Sequence, residues 1–192
     1  MVVIGHHEPE ALTFDTVNAD DRTGARIAVE SMISTGRRDI HMTSLPPRSD
    51  DEFQVYVQRE AGYLEAMQAA GLADRAKVWR LRERPDLPGS SPSTPLDARP
   101  LPEGLFCWSD IHAVEMLNLA RARGIAVPEQ IAIVGFDNTP AAGLPLIGLS
   151  SIDQKGPELG RIAAAALLSR IDGRTLAEHK LVQPHFVKRS SS

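Results

Sequence analysis

An α/β fold built on parallel sheet is predicted for this chain from three observations. Short β-branched or apolar runs alternate with stretches of helical periodicity, the order that βα units produce. One run, Ile131 to Phe136, is apolar without interruption, which suits a strand covered on both faces. The composition is globular: 192 residues, 42% hydrophobic and 24% charged, enough to bury a core without disulfides or metal.

Val2-Val3-Ile4-Gly5 reads as the first strand. Residues 21–35 read as a helix, because Ala25, Ala28, Val29, Met32 and Ile33 recur at helical spacing. Asp20 or Asp21 can cap its start, and Gly36 stands where a left-handed terminator belongs. Residues 39–45 alternate like a strand, ended by Pro46-Pro47. A second helix fits 52–70, with Tyr56, Tyr63, Leu64, Met67 and Ala70 on one side and Gly71 after it. Residues 76–81 read as a strand. The prolines at 85, 88, 92, 95, 100 and 102 then exclude a continuous helix over 82–103, since each interior proline costs about 3 kcal/mol. This stretch is a long loop or a disordered excursion. Leu105 to Trp108 reads as a strand, and a helix over 110–123 follows, with Asp110 as N-cap and Gly124 after it. After the 131–136 strand come a Pro/Gly-rich loop over 138–148 and a short strand near 149–152. Pro157 opens a helix to about 171, with Leu159, Ile162, Ala163, Ala166 and Leu167 inward. A last strand falls near 180–187, and there is no internal repeat.

The net charge of −4 and pI near 5.9 argue against this chain holding DNA or RNA by itself, because phosphate neutralisation supplies most of that affinity. The lone Cys107 forms no internal disulfide and fits a reducing compartment. No apolar run reaches the length of a membrane span, and the start lacks the basic region of a signal peptide. A cytoplasmic protein without membrane contact is expected. The usual nucleotide-binding glycine fingerprints are absent from the sequence, and no cofactor is expected. In parallel α/β sheets, ligands bind beyond the carboxyl ends of the strands. That rule points to Gly5–Glu8, Ser44–Gln54, Ser109–Asp110 and Asp137–Thr139.

These segments resemble the effector-binding core of the lactose-repressor (LacI/GalR) family of bacterial transcription regulators. Phe106-Cys107-Trp108-Ser109-Asp110-Ile111-His112-Ala113 is similar to that family's strand followed by (N/S)-D-x-x-A. Gly124 through Asn138 follows its G-x-x-V-P-x-D-(I/V)-x-(I/V)-x-G-(F/Y)-D-(D/N) signature. Gln154 with Leu159-Gly160 resembles its Q-x-x-x-x-(L/M)-G segment. Val17 to Asp21 with Gly24 and Ala28 resembles its D-x-x-x-G-x-x-x-A helix, and Arg59-Glu60-Ala61-Gly62-Tyr63 its R-x-x-G-(F/Y). The likeness is collinear and covers nearly the whole chain except 82–103.

The resemblance implies a periplasmic-binding-protein-like fold of type I: two doubly wound parallel-sheet lobes, with a small-molecule effector, often a sugar, between them. Residues 1–37 with 152–176 would form the N-terminal lobe, and 38–151 with 177–192 the C-terminal lobe. The first strand would match a middle strand of the N-terminal lobe. Two βα units, about 60 residues at roughly 30 each, and a helix-turn-helix head would precede it. The N-terminal lobe of this chain is therefore expected to be incomplete, with an exposed sheet edge. DNA would be reached only through a domain absent from these residues. Relatives pair through the C-terminal lobe, so a homodimer is expected, with Ile111 and Val114 at its interface.

Five residues are candidates for effector contact: His6, Arg59, Ser109, Asp137 and Gln154. Ionised Asp137 is acceptor-only and can grip a diol, although an Asx turn is the bland alternative. Arg59 offers a guanidinium fork, against a solvated ion pair with Glu60 or Glu52. Ser109 stands where relatives often carry Asn. Gln154 falls near the presumed lobe crossing. His6 and His7 follow the first strand, and their H-H-E-x-E spacing matches no tight metal pattern, so no metal is expected. Trp79 and Trp108 could stack on a sugar or simply fill core. No catalytic residues are assigned. The alternatives are a sugar-binding protein of the same architecture, or an α/β hydrolase-like enzyme using Asp137, His112 or Cys107.

Overall fold

The structure, a computed structural model, describes residues 1–5, 7–8, 11–46, 54–80 and 94–192. In chain order the elements are β1 (Val2–Ile4), β2 (Asp15–Ala19), α1 (Asp21–Ser34), β3 (Ile40–Ser44), α2 (Val55–Ala69), β4 (Lys77–Arg80), β5 (Gly104–Cys107), α3 (Asp110–Ala122), β6 (Ala132–Phe136), β7 (Ser150–Asp153), α4 (Gly156–Ile171), β8 (His179–Val182) and β9 (His185–Val187). They form two sheets. The larger has the order β4-β3-β5-β6-β7-β9, and the smaller β1-β2-β8. All pairings are parallel except β7 with β9.

The larger sheet is covered on both faces, and the pleat of β6 shows how. Ala132, Val134 and Phe136 join a cluster with Ala25, Ala28, Val29 and Met32 of α1 and Tyr63, Ala66 and Met67 of α2. Ile133 faces the other way, into Leu105, Cys107, Ala113, Leu117 and Leu149 beside α3. That two-sided burial is why the 131–136 run is uninterrupted. Helices α1 and α2 lie unusually close where Gly62 passes Arg22: a Cβ on Gly62 would stand 2.0 Å from the Arg22 carbonyl oxygen.

In the smaller sheet, β2 is the central strand and every one of its residues is buried. Three of the five are polar at the side chain, so its pattern gave no strand signal. Each has a partner. Thr16 Oγ1 lies 2.9 Å from His179 Nδ1, and Asn18 Oδ1 accepts from the Gly5 backbone at 2.7 Å. Asp15 is fully buried between Arg174 and Arg170. The Arg174 and Arg170 guanidinium groups hold its carboxyl far below the usual carboxylate range. Helix α4 packs on this sheet through Leu159, Ile162 and Ala163 against Val17, Ala19 and Val182.

Three expectations require correction. A lobe boundary at residue 37 would put α1 with the smaller sheet, yet the apolar face of α1 is buried in the core of the larger one. The division by sheet falls near Asp20, where β2 ends and α1 begins. The segment 177–192 is likewise divided, because β8 pairs with β2 and β9 with β7. On α4, Leu167 does not turn inward; Leu167, Leu168 and Ile171 are exposed. Residue 81, the last of the expected 76–81 strand, and residues 82–93 of the proline-rich stretch lie outside the described residues, and Pro95–Asp97 forms a single 3-10 turn that buries Leu96.

Candidate functional site

Arg59 lies on the inward stripe of α2, among Tyr56, Tyr63, Ala66 and Met67, and is only 3% exposed. A buried guanidinium must have its donors satisfied. Its Nε donates to Asp21 Oδ1 at 2.7 Å, and its Nη1 to the Trp108 carbonyl at 2.6 Å. Nη1 also lies 3.4 Å from Asp137 Oδ1. The guanidinium carbon sits 3.7 Å above the centre of the Phe136 ring. On the α1 side the same ring passes Gly24, where a Cβ would stand 2.8 Å from two ring carbons. Glu60 pairs with Arg80 instead of Arg59.

Asp137 follows β6 and has a φ of +113°. Its backbone N–H donates to Ile152 O at 2.9 Å, and its Oδ1 accepts from Gln154 Nε2 at 2.6 Å. The backbone N–H of Asp110, at the start of α3, also donates to its carboxylate. Burial pushes the Asp137 carboxyl up to about 6, opposed by Arg59 and helped by the charge of Asp110.

Asp110 holds the strand ends in place rather than capping α3. The N-cap is Ser109, whose side chain makes no capping bond. The Asp110 carboxylate accepts from Ser151 Oγ at 2.6 Å, Thr139 N at 2.7 Å and Thr139 Oγ1 at 3.0 Å. Burial raises its pKa. A Cβ on Gly135 would lie 2.3 Å from Asp110 Oδ1, so this position requires glycine.

The structure thus joins Arg59, Asp137 and Gln154 at the carboxyl ends of the larger sheet. Ser109 is directed elsewhere: its hydroxyl lies 2.9 Å from His112 Nδ1. His6 lies outside the described residues. His7 does reach the constellation, with Nε2 2.8 Å from Asp21 Oδ2. The sequence offers either His6 or His7 as a cleft contact and Asp21 only as a possible helix cap; nothing in it marks Phe136 or the pairing of Asp21 with Arg59. The available signal was a charged Arg59 on an apolar helical stripe, which demands a buried acidic partner. Asp20 takes the capping role, accepting from Thr23 N at 2.9 Å, and this frees Asp21 for Arg59.

Trp108 packs between Tyr56 and His112, while Trp79 donates to His41 Nδ1 at 3.1 Å. Cys107 is fully buried, and desolvation pushes its thiol up to about 12, the reverse of an activated nucleophile. Among the described residues no group of three or more side chains is placed to hold a metal ion, and no helix is long and apolar enough to cross a membrane.

Two parallel-sheet units, with charged groups gathered at the strand ends where the chain passes between them, define a binding-protein architecture. The chain belongs to the periplasmic binding protein-like domain family, whose profile matches residues 29–192. Its relatives are LacI-type transcriptional regulators. It is 32% identical over 177 residues to the regulator CelR of Thermobifida fusca, covering 91% of this chain and 51% of that protein. It is 30% identical over 175 residues to the repressor CytR of Escherichia coli K12, covering 91% and 50%. The solved complex of the regulator CelR with cellobiose superposes with a TM-score of 0.82 at 28% identity, over 100% of this chain and 58% of that one. The chain spans about half the length of the curated relatives it matches.

The Asp137 environment predicts a pH-dependent stability. Its folded-state pKa is raised, so its contribution is full below 3.8 and is lost as pH rises through about 6. The shift from 3.8 to about 6 corresponds to roughly 3 kcal/mol as an upper figure. Asp137→Asn is therefore expected to be more stable than wild type at pH 8 by about 1–3 kcal/mol in denaturant unfolding, with the gap closing near pH 3.5. Equal stabilities at both pH values would contradict the assignment.

Proposed function

We propose that this chain is the effector-sensing core of a LacI-type transcriptional regulator, binding a small hydroxyl-rich molecule of the carbohydrate class beside Arg59 and Asp137. The observation that carries this is the convergence of Arg59, Asp137 and Gln154 at the strand ends. A guanidinium, a carboxylate and a carboxamide there supply paired donors and acceptors for vicinal hydroxyls. The cellobiose carried by the related CelR structure supports the same chemical class. Binding is stoichiometric, without turnover.

The Asp21–Arg59–Asp137 trio sums to one negative charge when both carboxyls are ionised. That favours a neutral polyol over a phosphorylated or carboxylated ligand. Ligand hydroxyls donating to Asp137 bind its ionised form, so affinity falls as pH drops below about 6.

The route to DNA is indirect. Closure of the lobes on the effector alters the arrangement of paired subunits, and with it the placement of DNA-binding heads outside these residues. Only a ligand with different affinity for the two arrangements can do this. Pairing is assigned to α3 and the 138–149 loop, where Ile111, Leu144 and Leu146 are exposed. Val114 is half-buried and packs onto the core, so it serves this surface less than Ile111 does.

Calorimetry against neutral sugars, beginning with cellobiose and ribose, and their phosphorylated forms tests the binding site. The expected result is saturable binding of a neutral sugar, weakened at least 100-fold in Asp137→Ala and Arg59→Ala. Binding that survives both substitutions in folded protein would overturn the site. Sedimentation of Ile111→Asp tests the pairing surface: the expected change is from dimer to monomer, and an unchanged dimer would remove α3 from the interface.

A further inference from the structure

The chain's segment after β9 is stitched onto the beginnings of β6 and β7. Ile133 N donates to Ser191 O at 2.8 Å, and Ser191 Oγ donates back to Ile133 O at 2.6 Å. Ser150 N donates to Ser191 Oγ at 2.8 Å, and Ser191 N to Gly148 O at 3.1 Å. From this anchored segment Arg189 reaches toward the candidate site. Its backbone N–H donates to Ser150 Oγ at 2.8 Å and its Nη1 to Leu149 O at 2.6 Å. Its Nη2 donates to Asn138 Oδ1, also at 2.6 Å.

Asn138 follows Asp137, and both have positive φ, +48° and +113°. Two successive non-glycine residues in that region are costly, and the geometry persists only where neighbours over-determine it. Asn138 is held on three sides. Its N–H donates to Ser151 Oγ at 3.0 Å, its Nδ2 to Asp153 Oδ2 at 3.1 Å, and its Oδ1 accepts from Arg189. The first two holders come from neighbouring β7. Arg189 is the cation among the three, and it arrives from a different part of the chain.

We propose that Arg189 is a positioning residue for Asp137: acting through Asn138, it holds the turn that sets the Asp137 carboxylate opposite Arg59 and Gln154. Effector recognition then depends on the 188–192 segment, which makes none of the contacts at the constellation itself. The word effector rests on the function proposed above; the positioning does not.

The groups facing the Asp137 carboxylate are Arg59 from α2, Asp110 from α3 and Gln154 beyond β7. With the turn released, the carboxylate moves toward water and loses the burial that holds its proton. A merely structural role for Arg189 would lower stability and leave the titration of Asp137 in folded molecules unchanged.

The test is a carbon-13 carboxyl NMR titration of the aspartate-labelled chain, with Asp137 assigned by its loss in Asp137→Asn. In Arg189→Gln the proton affinity of Asp137 is expected to fall at least tenfold, toward that of an ordinary aspartate. Arg189→Lys should fall in between, because an ammonium is a point donor and does not span two acceptors as the fork does. Asn138→Gly keeps the left-handed backbone accessible and removes the amide that Arg189 grips. It should reproduce the shift, and Arg189→Gln should add nothing in that background. A folded Arg189→Gln with unchanged Asp137 titration, or shifts from the two substitutions that simply add, would overturn the proposal. If Arg189→Gln does not fold, Asn138→Gly is read alone, and an unchanged midpoint there also overturns it. No sugar is used, so the result is independent of whether the chain binds one.

Discussion

Arg59 carries a charge that the fold has taken almost wholly out of water, and the arrangement of the larger lobe follows from accommodating it. An isolated buried guanidinium would cost several kcal/mol. Here Asp21, the Trp108 carbonyl and the face of Phe136 surround it. These partners come from the start of α1, the end of β5 and the end of β6. The ion pair therefore ties together three segments far apart in sequence. Removing Asp21 alone would leave the guanidinium uncompensated, the costly way to break such a pair.

Close approach is the condition for this arrangement, and glycines supply it at two points. Gly62 lets α2 pass the carbonyl of Arg22, and Gly24 lets α1 lie over the Phe136 ring. Any side chain at Gly62 would push α2, and Arg59 with it, away from Asp21. The resemblance motifs acquire physical content in this way. The glycine of R-x-x-G-(F/Y) seats the arginine, and the glycine of D-x-x-x-G makes room for the aromatic ring of G-(F/Y)-D. The acid of (N/S)-D fastens the turn after β6 through Thr139 and joins β7 through Ser151.

Much of this was legible in the sequence, for identifiable reasons. Strongly periodic helices such as α1 and the continuous apolar run of β6 are set by burial on one face or two, which leaves a plain pattern. Strand β2 left none, because its buried side chains are half polar and their partners lie up to 163 residues away, as in the contact of Thr16 with His179. The lobe boundary was misplaced for a related reason: α1 follows a strand of one sheet and packs on the other, and periodicity says only that a helix has a buried face. At the candidate site, the family motif points to Arg59, Asp137 and Gln154, and the structure brings the three together. Asp21 was hidden by its neighbour, since Asp20 and Asp21 both suit a helix start. Ser109, which stands where relatives often carry asparagine, keeps a donor and an acceptor with less reach, and its hydroxyl lies against His112.

The functional reading depends on the constellation being formed before ligand arrives. A guanidinium already oriented by Asp21 would lose little freedom on binding a ligand, leaving more of each hydrogen bond to appear as affinity. Asp137, its pKa raised by partial burial and its carboxylate flanked by Arg59, is an acceptor whose side chain still has an edge open to solvent. The most direct measurement is a nitrogen-15 correlation spectrum of arginine side chains in the ligand-free protein at pH 7, with Arg59 assigned by Arg59→Lys. The Arg59 Nε–H is expected to be shifted by its bond to Asp21 and to exchange with water far more slowly than the exposed arginines. An Arg59 signal exchanging as fast as theirs would contradict a preformed site.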